Sequence, residues 1–143
     1  IPLIDMGILE QPLQVSCVMG VLGGAPATPD NLAHMAKQVP EYDGVNNWGL
    51  VGVSRDQWNL IPRALEEGGN IRVGFEDNFY LPNGEMAASN GDLVAAGRGF
   101  VEQSGRKVAS IAEARELLGV PRAPKAPAEA AAVGADGAGS ADA

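Results

Sequence analysis

The chain has 143 residues and a formal net charge of -8, from 10 Lys and Arg against 18 Asp and Glu. This length suffices for one domain with a buried core, and a hydrophobic content of 45% is typical of a folded globular protein. The acidic balance excludes nucleic acid or an anionic membrane as the main partner, because both bind surfaces rich in Lys and Arg.

Cysteine and histidine each occur once, as Cys17 and His34. A single cysteine excludes an internal disulfide and fits a reducing compartment, so we expect a cytoplasmic protein. A single histidine excludes a zinc site built from several histidines of this chain alone. No apolar run approaches the roughly 20 residues of a membrane helix. The sequence starts at Ile1 with neither an initiator Met nor a basic-then-apolar leader, so we expect no signal peptide. Because it starts abruptly at Ile-Pro-Leu-Ile, we expect a fragment of a longer protein.

Residues 121–143 consist almost wholly of Ala, Pro and Gly and contain no aromatic residue. Such a segment buries too little apolar surface to offset the entropy lost on ordering, which predicts a disordered C-terminal tail. We therefore assign residues 1–120 to one folded domain.

The first predicted strand is the short apolar run Val15–Met19. Thr28 is a favourable N-cap and Pro29 suits the first helical position, so a helix is predicted that includes Asn31–Gln38. Pro40 is expected to stop this helix.

The second predicted strand is Trp48–Val53, and the spacing of apolar residues after it indicates a helix over Arg55–Glu67. Pro62 weakens this helix in its middle, so its first turn is expected to be irregular. Gly68 and Gly69 are expected to end it.

The third predicted strand is Asn70–Phe75, followed by a turn-rich loop over Asn78–Gly84. A helix is then predicted from about Ser89–Asn90 to Gln103. The last helix, Ser110–Leu118, opens with a capping box and closes at Gly119.

Strands separated by helices pair in parallel through right-handed crossovers, which predicts an α/β fold. The apolar runs are continuous rather than alternating, so we expect strands that are covered on both faces. A sheet of three strands leaves two edges unpaired, and a complete (β/α)8 TIM barrel takes about 250 residues. The residues alone therefore leave two architectures open, a C-terminal part of such a barrel and a small open sheet.

Ligands of parallel sheets bind at the carboxyl ends of the strands. The loop Gly20–Thr28 matches neither a dinucleotide fingerprint nor a phosphate-binding loop, so a tight strand-to-helix turn is favoured. After the second strand, Ser54 and Arg55 place a hydroxyl and a guanidinium at this edge. Arg55 could bind a carboxylate or phosphate, or equally lie on a helix surface.

The densest polar cluster follows the third strand, where Arg72 precedes the adjacent acids Glu76 and Asp77. Strand alternation would place Arg72 and Glu76 on one face, in a barrel interior, and leave Asp77 to the loop. The Glu76 carboxylate could ligate a divalent metal and Asp77 could accept a proton. Solvated acids at a strand end are the commoner explanation of the same residue types.

The remaining candidates favour structural roles. A lone histidine within a helix, His34, is more often a packing or surface residue than a ligand. Cys17 has no basic neighbour in sequence to lower its pKa and is expected to be a small buried side chain. Trp48 and Trp58 are expected in the core.

Three segments, residues 18–35, 48–94 and 108–119, closely resemble the C-terminal half of the β-keto acid cleavage enzymes, the family of 3-keto-5-aminohexanoate cleavage enzyme. The most specific motif is RVGFEDN at residues 72–78, preceded by the glycine pair at 68–69 and followed by Ser89-Asn90. The resemblance covers essentially residues 13–119. It implies a zinc-dependent (β/α)8 barrel in which a β-keto acid and acetyl-CoA become acetoacetate and a new acyl-CoA, by retro-Claisen cleavage with CoA transfer.

In such enzymes two histidines of a His-x-His and the Glu of the EDN motif hold zinc, which implies Glu76 as a metal ligand. The following acid, Asp77, is implied to be the base that deprotonates the substrate between its carbonyls. Arg72 is implied to pair with Asp77 and orient it. The His-x-His is absent from this chain, since His34 corresponds to a helix position, so the fragment alone is expected to be inactive.

Two other readings stay open: a short chain that binds an acyl-CoA or keto acid without catalysis, and a barrel whose other half is a separate chain. The residues do not identify the keto acid, and the substrate-binding residues are unknown. A barrel half is expected to seek a partner, because its strand edges are unpaired. We expect the complete protein to form a homo-oligomer, although the residues leave the number of subunits open.

Overall fold

The computed structural model describes residues 2–9, 13–39 and 45–120. The predicted tail, residues 121–143, and the predicted stop at Pro40 lie outside these ranges. In chain order the described elements are α1 (Pro2–Asp5), β1 (Leu13–Met19), α2 (Pro29–Gln38), β2 (Val45–Gly52), α3 (Gln57–Glu66), β3 (Asn70–Arg72), α4 (Asn90–Gln103) and α5 (Ile111–Leu117). None of these described helices is long and apolar enough to span a membrane.

The described strands form one parallel sheet in the order β1-β2-β3, which confirms the predicted α/β class. Its register aligns Cys17 with Leu50 and Val18 with Val51. On the other side of β2, Val51 aligns with Arg72. Strands β1 and β2 begin two and three residues earlier than predicted, at Leu13 and Val45. All three strands therefore run in the same direction, and their carboxyl ends meet at one edge.

The helices cover one face of β1 more than the other. Cys17 and Met19 are buried in the core, whereas Ser16 and Val18, which alternate with them along the strand, are exposed. Helix α2 packs on β1, and α3 packs on β2 and β3. Right-handed crossovers return successive helices to the same side of a sheet, which explains the asymmetry. The expectation of strands covered on both faces is therefore wrong for β1 within the described chain.

Side-chain caps begin three helices at the positions that the sequence predicts. The Thr28 hydroxyl accepts a hydrogen bond from the Asn31 N–H at 3.2 Å, and Pro29 is the first residue of α2. Helices α4 and α5 open with capping boxes at Ser89 and Ser110. Each cap satisfies N–H groups that the first helical turn leaves without partners.

Helix α3 begins at Gln57 rather than Arg55, because the backbone of Ser54 has a positive φ of 67° and residues 55–56 form a turn. Pro62 lies inside the helix. Trp58 is buried, and its ring stacks on Phe100 of α4 with centroids 5.7 Å apart. Trp48 is half-buried against the same core, so both tryptophans pack where expected. The buried core cluster consists of Cys17, Met19, Leu32, Leu50, Trp58, Leu60, Ile61, Ala64, Leu65, Ala87 and Leu93.

Candidate functional site

Main-chain hydrogen bonds join the loops that follow the three strands. The N–H of Val53 donates to the carbonyl of Met19 at 3.0 Å, which ties the end of β2 to the end of β1. The N–H of Ser54 donates to the carbonyl of Asp77 at 2.7 Å, which ties the loop after β2 to the loop after β3. The carboxyl edge of the sheet is thus one connected surface.

Strand β3 ends at Arg72 and does not continue to Phe75 as predicted. The chain turns at Gly74, whose carbonyl accepts from the N–H groups of Asp77 and Asn78, both at 3.0 Å. The Phe75 N–H donates to the Asn90 side chain at 2.9 Å instead of to a neighbouring strand. The predicted strand end at Phe75 is therefore wrong, and strand alternation does not extend to Glu76.

The turn brings the three predicted site residues together. Arg72 donates from Nε to Asp77 Oδ2 at 2.8 Å and from Nη2 to Asp77 Oδ1 at 2.9 Å. The same Nη2 lies 2.9 Å from Glu76 Oε2. Hydrogen bonding to Asp77, and then the charges of Asp77 and Glu76, raise the pKa of Arg72 above its ordinary value. The guanidinium is therefore a permanent cation between two carboxylates.

The two acids differ in exposure. The Asp77 side chain is 7% exposed, whereas that of Glu76 is 83% exposed. Asp77 is also held through its backbone, by Gly74 at its N–H and by Ser54 at its carbonyl. Asp77 is a fixed, enclosed carboxylate, and Glu76 is an accessible one beside it.

Asn78 and Tyr80 support the site, and sequence reasoning assigned neither a role. Asn78 is 2% exposed; its Nδ2 donates to the Tyr80 carbonyl at 2.8 Å, and its Oδ1 accepts from the Tyr80 N–H at 3.1 Å. The Trp58 indole N–H donates to the same carbonyl at 2.7 Å. Asn side chains often form turns by bonding the backbone two residues onward. The Asn at position 78 was therefore the sequence feature that could have predicted this turn.

Arg55 lies against the ring of Tyr80, with its guanidinium carbon 3.9 Å from the ring centroid. The residue is exposed and immediately follows Ser54 at the carboxyl edge. The structure therefore places Arg55 on an aromatic support beside the site.

Gln57, at the start of α3, is fully buried. Its Oε1 and Nε2 have no hydrogen-bond partner among the described residues. A Cβ added to Gly52 would lie 2.7 Å from the Gln57 Cα, so the helix packs directly on the end of β2. Burial of an amide without a hydrogen-bond partner costs free energy of folding.

The donor chemistry at the site fits one ligand of a zinc ion. The Glu76 carboxylate is exposed, and hard carboxylate oxygens bind Zn²⁺. Within the ranges that the structure describes, no group of three or more His, Cys, Asp or Glu could hold a metal. The His34 side chain is exposed on α2, whereas Cys17 is buried, and this burial raises the pKa of its thiol. A zinc site with three protein ligands would therefore need at least one ligand from outside the described residues.

Comparison with known proteins shows which family this chain is similar to. The family model for beta-keto acid cleavage enzyme matches residues 2–120. The 3-keto-5-aminohexanoate cleavage enzyme of Acetoanaerobium sticklandii is 37% identical over 122 residues, which cover 85% of this chain and 44% of that protein.

Two further relatives carry acetyl-CoA in their names. The 3,5-dioxohexanoate:acetyl-CoA acetone transferase of Paraburkholderia graminis is 35% identical, over 80% of this chain and 37% of its own length. The 3-oxoadipate:acetyl-CoA acetyltransferase of Cupriavidus necator is 35% identical, over 80% of this chain and 40% of its own length. The chain thus spans less than half the length of these curated relatives.

Proposed function

Because the chain belongs to the beta-keto acid cleavage enzyme family, we propose that it carries the catalytic acid–base residues of an acyltransferase that cleaves a β-keto acid with acetyl-CoA. The products are acetoacetate and a new acyl-CoA, formed by retro-Claisen cleavage with CoA transfer. The observation that carries this proposal is the Arg72–Asp77 pair beside the exposed Glu76, at the carboxyl end of β3.

Asp77 is the general base of the proposed reaction. A carbon between two carbonyl groups is acidic enough for a positioned carboxylate to deprotonate it. The enclosed position of Asp77, with backbone bonds to Gly74 and Ser54, holds its carboxylate in one orientation. Such fixing is what makes proton transfer efficient, because the base need not be oriented during the reaction.

Arg72 positions Asp77 and balances its charge. Two parallel hydrogen bonds from a planar guanidinium define the plane of the carboxylate, which a single bond would not do. Since the guanidinium stays charged, it also stabilises the site while Asp77 is ionised.

Glu76 is proposed as one zinc ligand, completed by two histidines that this chain does not contain. Zinc would supply a Lewis acid that stabilises the enolate of the substrate. Exposure of the Glu76 side chain is compatible with this role.

We further propose that the chain forms the C-terminal half of a (β/α)8 barrel. Two observations support the barrel half. The chain spans 37–44% of the relatives' lengths, and the face of β1 that carries Ser16 and Val18 is left exposed by the described helices. The complete protein is also proposed to be a cytoplasmic homo-oligomer. The single cysteine of this chain supports the compartment, because it fits a reducing environment.

The reading frame upstream of Ile1 tests the barrel proposal, and we expect it to encode a His-x-His within another half barrel. Intact mass of the protein from its source establishes whether both halves lie on one chain. A native chain that begins near Ile1 and purifies without a second polypeptide would contradict the proposal.

Activity of the full-length protein tests the reaction. We expect acetoacetate to form from acetyl-CoA and at least one keto acid named for the relatives, such as 3-oxoadipate. Asp77→Asn should retain the zinc content of the unaltered protein and lose turnover. Asp56→Asn is the control, because Asp56 precedes α3 and makes no side-chain cap hydrogen bond. Unchanged turnover in Asp77→Asn would rule out Asp77 as the base.

A further inference from the structure

We propose that Arg55, supported by the ring of Tyr80, is an anion-binding subsite that takes a carboxylate or phosphate group of a substrate. The identity of that substrate rests on the proposed function, whereas the existence of the subsite does not. The proposal stands on the position of Arg55, on its contact with the Tyr80 ring and on the lack of an acidic partner in the part of the chain that the structure describes.

The position of Arg55 is set by the backbone beside it. Ser54 directly precedes Arg55, and its N–H donates to the carbonyl of Asp77 at 2.7 Å. Arg55 is therefore attached to the segment that contacts the proposed base. A cation here lies at the carboxyl edge of a parallel sheet, the edge at which such sheets bind ligands.

The ring of Tyr80 packs against the Arg55 guanidinium and does not neutralise its charge. The guanidinium carbon lies 3.9 Å from the centroid of the Tyr80 ring. Tyr80 is itself fixed, because Trp58 and Asn78 both donate to its carbonyl. Contact with an aromatic ring leaves the N–H donors of arginine free for an anion. A side chain held in place before binding loses less entropy when a ligand arrives.

The donors of Arg55 have no acidic acceptor within residues 2–9, 13–39 and 45–120. Most other cations of the described chain are in ion pairs with Asp or Glu: Arg63, Arg72, Arg98 and Lys107. No ion pair of Arg55 with a described acid occurs, although the chain carries an excess of acids. An exposed guanidinium beside the site is thus available to an external anion.

Both proposed substrates carry a suitable anion. A β-keto acid presents a carboxylate, and acetyl-CoA presents phosphates. Each accepts two parallel hydrogen bonds from one guanidinium. The carboxylate and the phosphate are both oxyanions. Binding measurements with one probe of each kind show which of them Arg55 binds.

The test is calorimetric titration of the full-length protein with coenzyme A and, separately, with acetoacetate. We expect Arg55→Gln to weaken one of the two affinities by about tenfold or more, the size of a lost charged hydrogen bond. Weaker coenzyme A binding identifies a phosphate as the ligand group, and weaker acetoacetate binding identifies a carboxylate.

Lys37→Gln is the matched control, since it removes the same charge from an exposed residue. Lys37 lies in the last turn of α2, and helices of this fold run antiparallel to the strands, so Lys37 is at the opposite edge of the sheet. Affinities of Arg55→Gln that match those of Lys37→Gln for both probes would overturn the proposal.

Two substitutions of Tyr80 test the support. Tyr80→Phe keeps the ring and should retain the affected affinity, whereas Tyr80→Leu should weaken it. Equal affinity in the Leu and Phe variants would overturn the role of the ring. Binding does not require turnover, so an inactive protein whose affinity depends on Arg55 would reject the proposed reaction and keep the subsite. An active protein whose Arg55→Gln variant binds both probes as tightly as the unaltered protein would reject the subsite and keep the proposed reaction.

Discussion

Arg72 and Asp77 are joined by two parallel hydrogen bonds of 2.8 and 2.9 Å, although the strand ends at Arg72 and Asp77 belongs to the turn after it. The turn at Gly74 makes this possible, because it folds the chain back so that the fifth residue after Arg72 meets its side chain. A continued strand would have carried Asp77 away from the guanidinium. The proposed base is thus positioned by the end of the strand rather than by the strand itself.

Arg72→Lys tests that positioning. Lysine keeps the charge but cannot make two parallel bonds to one carboxylate, so the orientation of Asp77 is lost. We expect kcat of the full-length enzyme to fall about 10- to 100-fold, the usual cost of a misplaced catalytic group, while zinc content stays the same. Arg98→Lys, which alters an exposed pair with Glu102, is the control and should leave kcat unchanged. Equal kcat in the two variants would contradict a positioning role.

Glu76→Gln tests the metal site. An amide oxygen is a much weaker zinc ligand than a carboxylate, so we expect the full-length protein to lose its zinc. Metal content of the purified variant, measured by atomic emission, gives the answer directly. Glu102→Gln changes another exposed glutamate in an ion pair and should retain the metal. Full zinc occupancy in Glu76→Gln would exclude this residue as a ligand.

Ser54 is the one described residue other than glycine with a positive φ, and substitutions there should report the strain. A side chain in the left-handed region costs about 1 kcal/mol, which glycine avoids. We therefore expect Ser54→Gly to have a higher free energy of unfolding than Ser54→Ala, by about 1 kcal/mol in urea titrations. At Ser16, within β1, the order of the two variants should reverse, because glycine weakens strands. The same order at both positions would argue against strain at Ser54.

Gln57→Met should stabilise the protein. The two polar atoms of the Gln57 amide are buried without partners among the described residues, and methionine of similar shape removes both. We expect the free energy of unfolding to rise by about 1 kcal/mol. Gln103→Met, at the exposed end of α4, should change it little. A loss of stability in Gln57→Met would show that the amide is paired in solution.

Glu113 should make the stability of α5 depend on pH. Hydrogen bonds from Lys107, and then from the backbone and hydroxyl of Ser110, lower the pKa of Glu113 from 4.5 to about 2. Because the folded state favours the ionised form, this stabilisation is present above the unfolded pKa of 4.5 and is lost as the pH falls towards 2. Glu113→Gln should thus be less stable than the unaltered protein near neutral pH, and the difference should shrink on acidification.

Urea unfolding midpoints measured at intervals between neutral pH and the acid limit check this expectation. Glu116→Gln, on the same helix, is the control and should differ little from the unaltered protein throughout. A difference for Glu113→Gln that stays constant with pH would contradict the assignment to this carboxylate.

The helix starts show which structural features can be predicted from local sequence. Residue type and spacing predict caps at Thr28 and Ser110 and a helix start near Ser89, and all three residues cap their helices. A cap depends on a side chain and an N–H group two or three residues away, so nothing distant is needed. The end of β3 was predicted wrongly because it depends on Asn90, 15 residues onward, which accepts the Phe75 N–H.

The sequence by itself determined the α/β class, the parallel order of strands and helices, and the family, because periodicity, caps and the RVGFEDN motif are local properties of the chain. It also placed Arg72, Glu76 and Asp77 in one cluster. Only the tertiary structure decided that Asp77 is enclosed while Glu76 is exposed, and that Arg55 rests on Tyr80. Exposure and ring contacts depend on which distant segments pack around a residue. The residues next to it in the sequence do not reveal those segments.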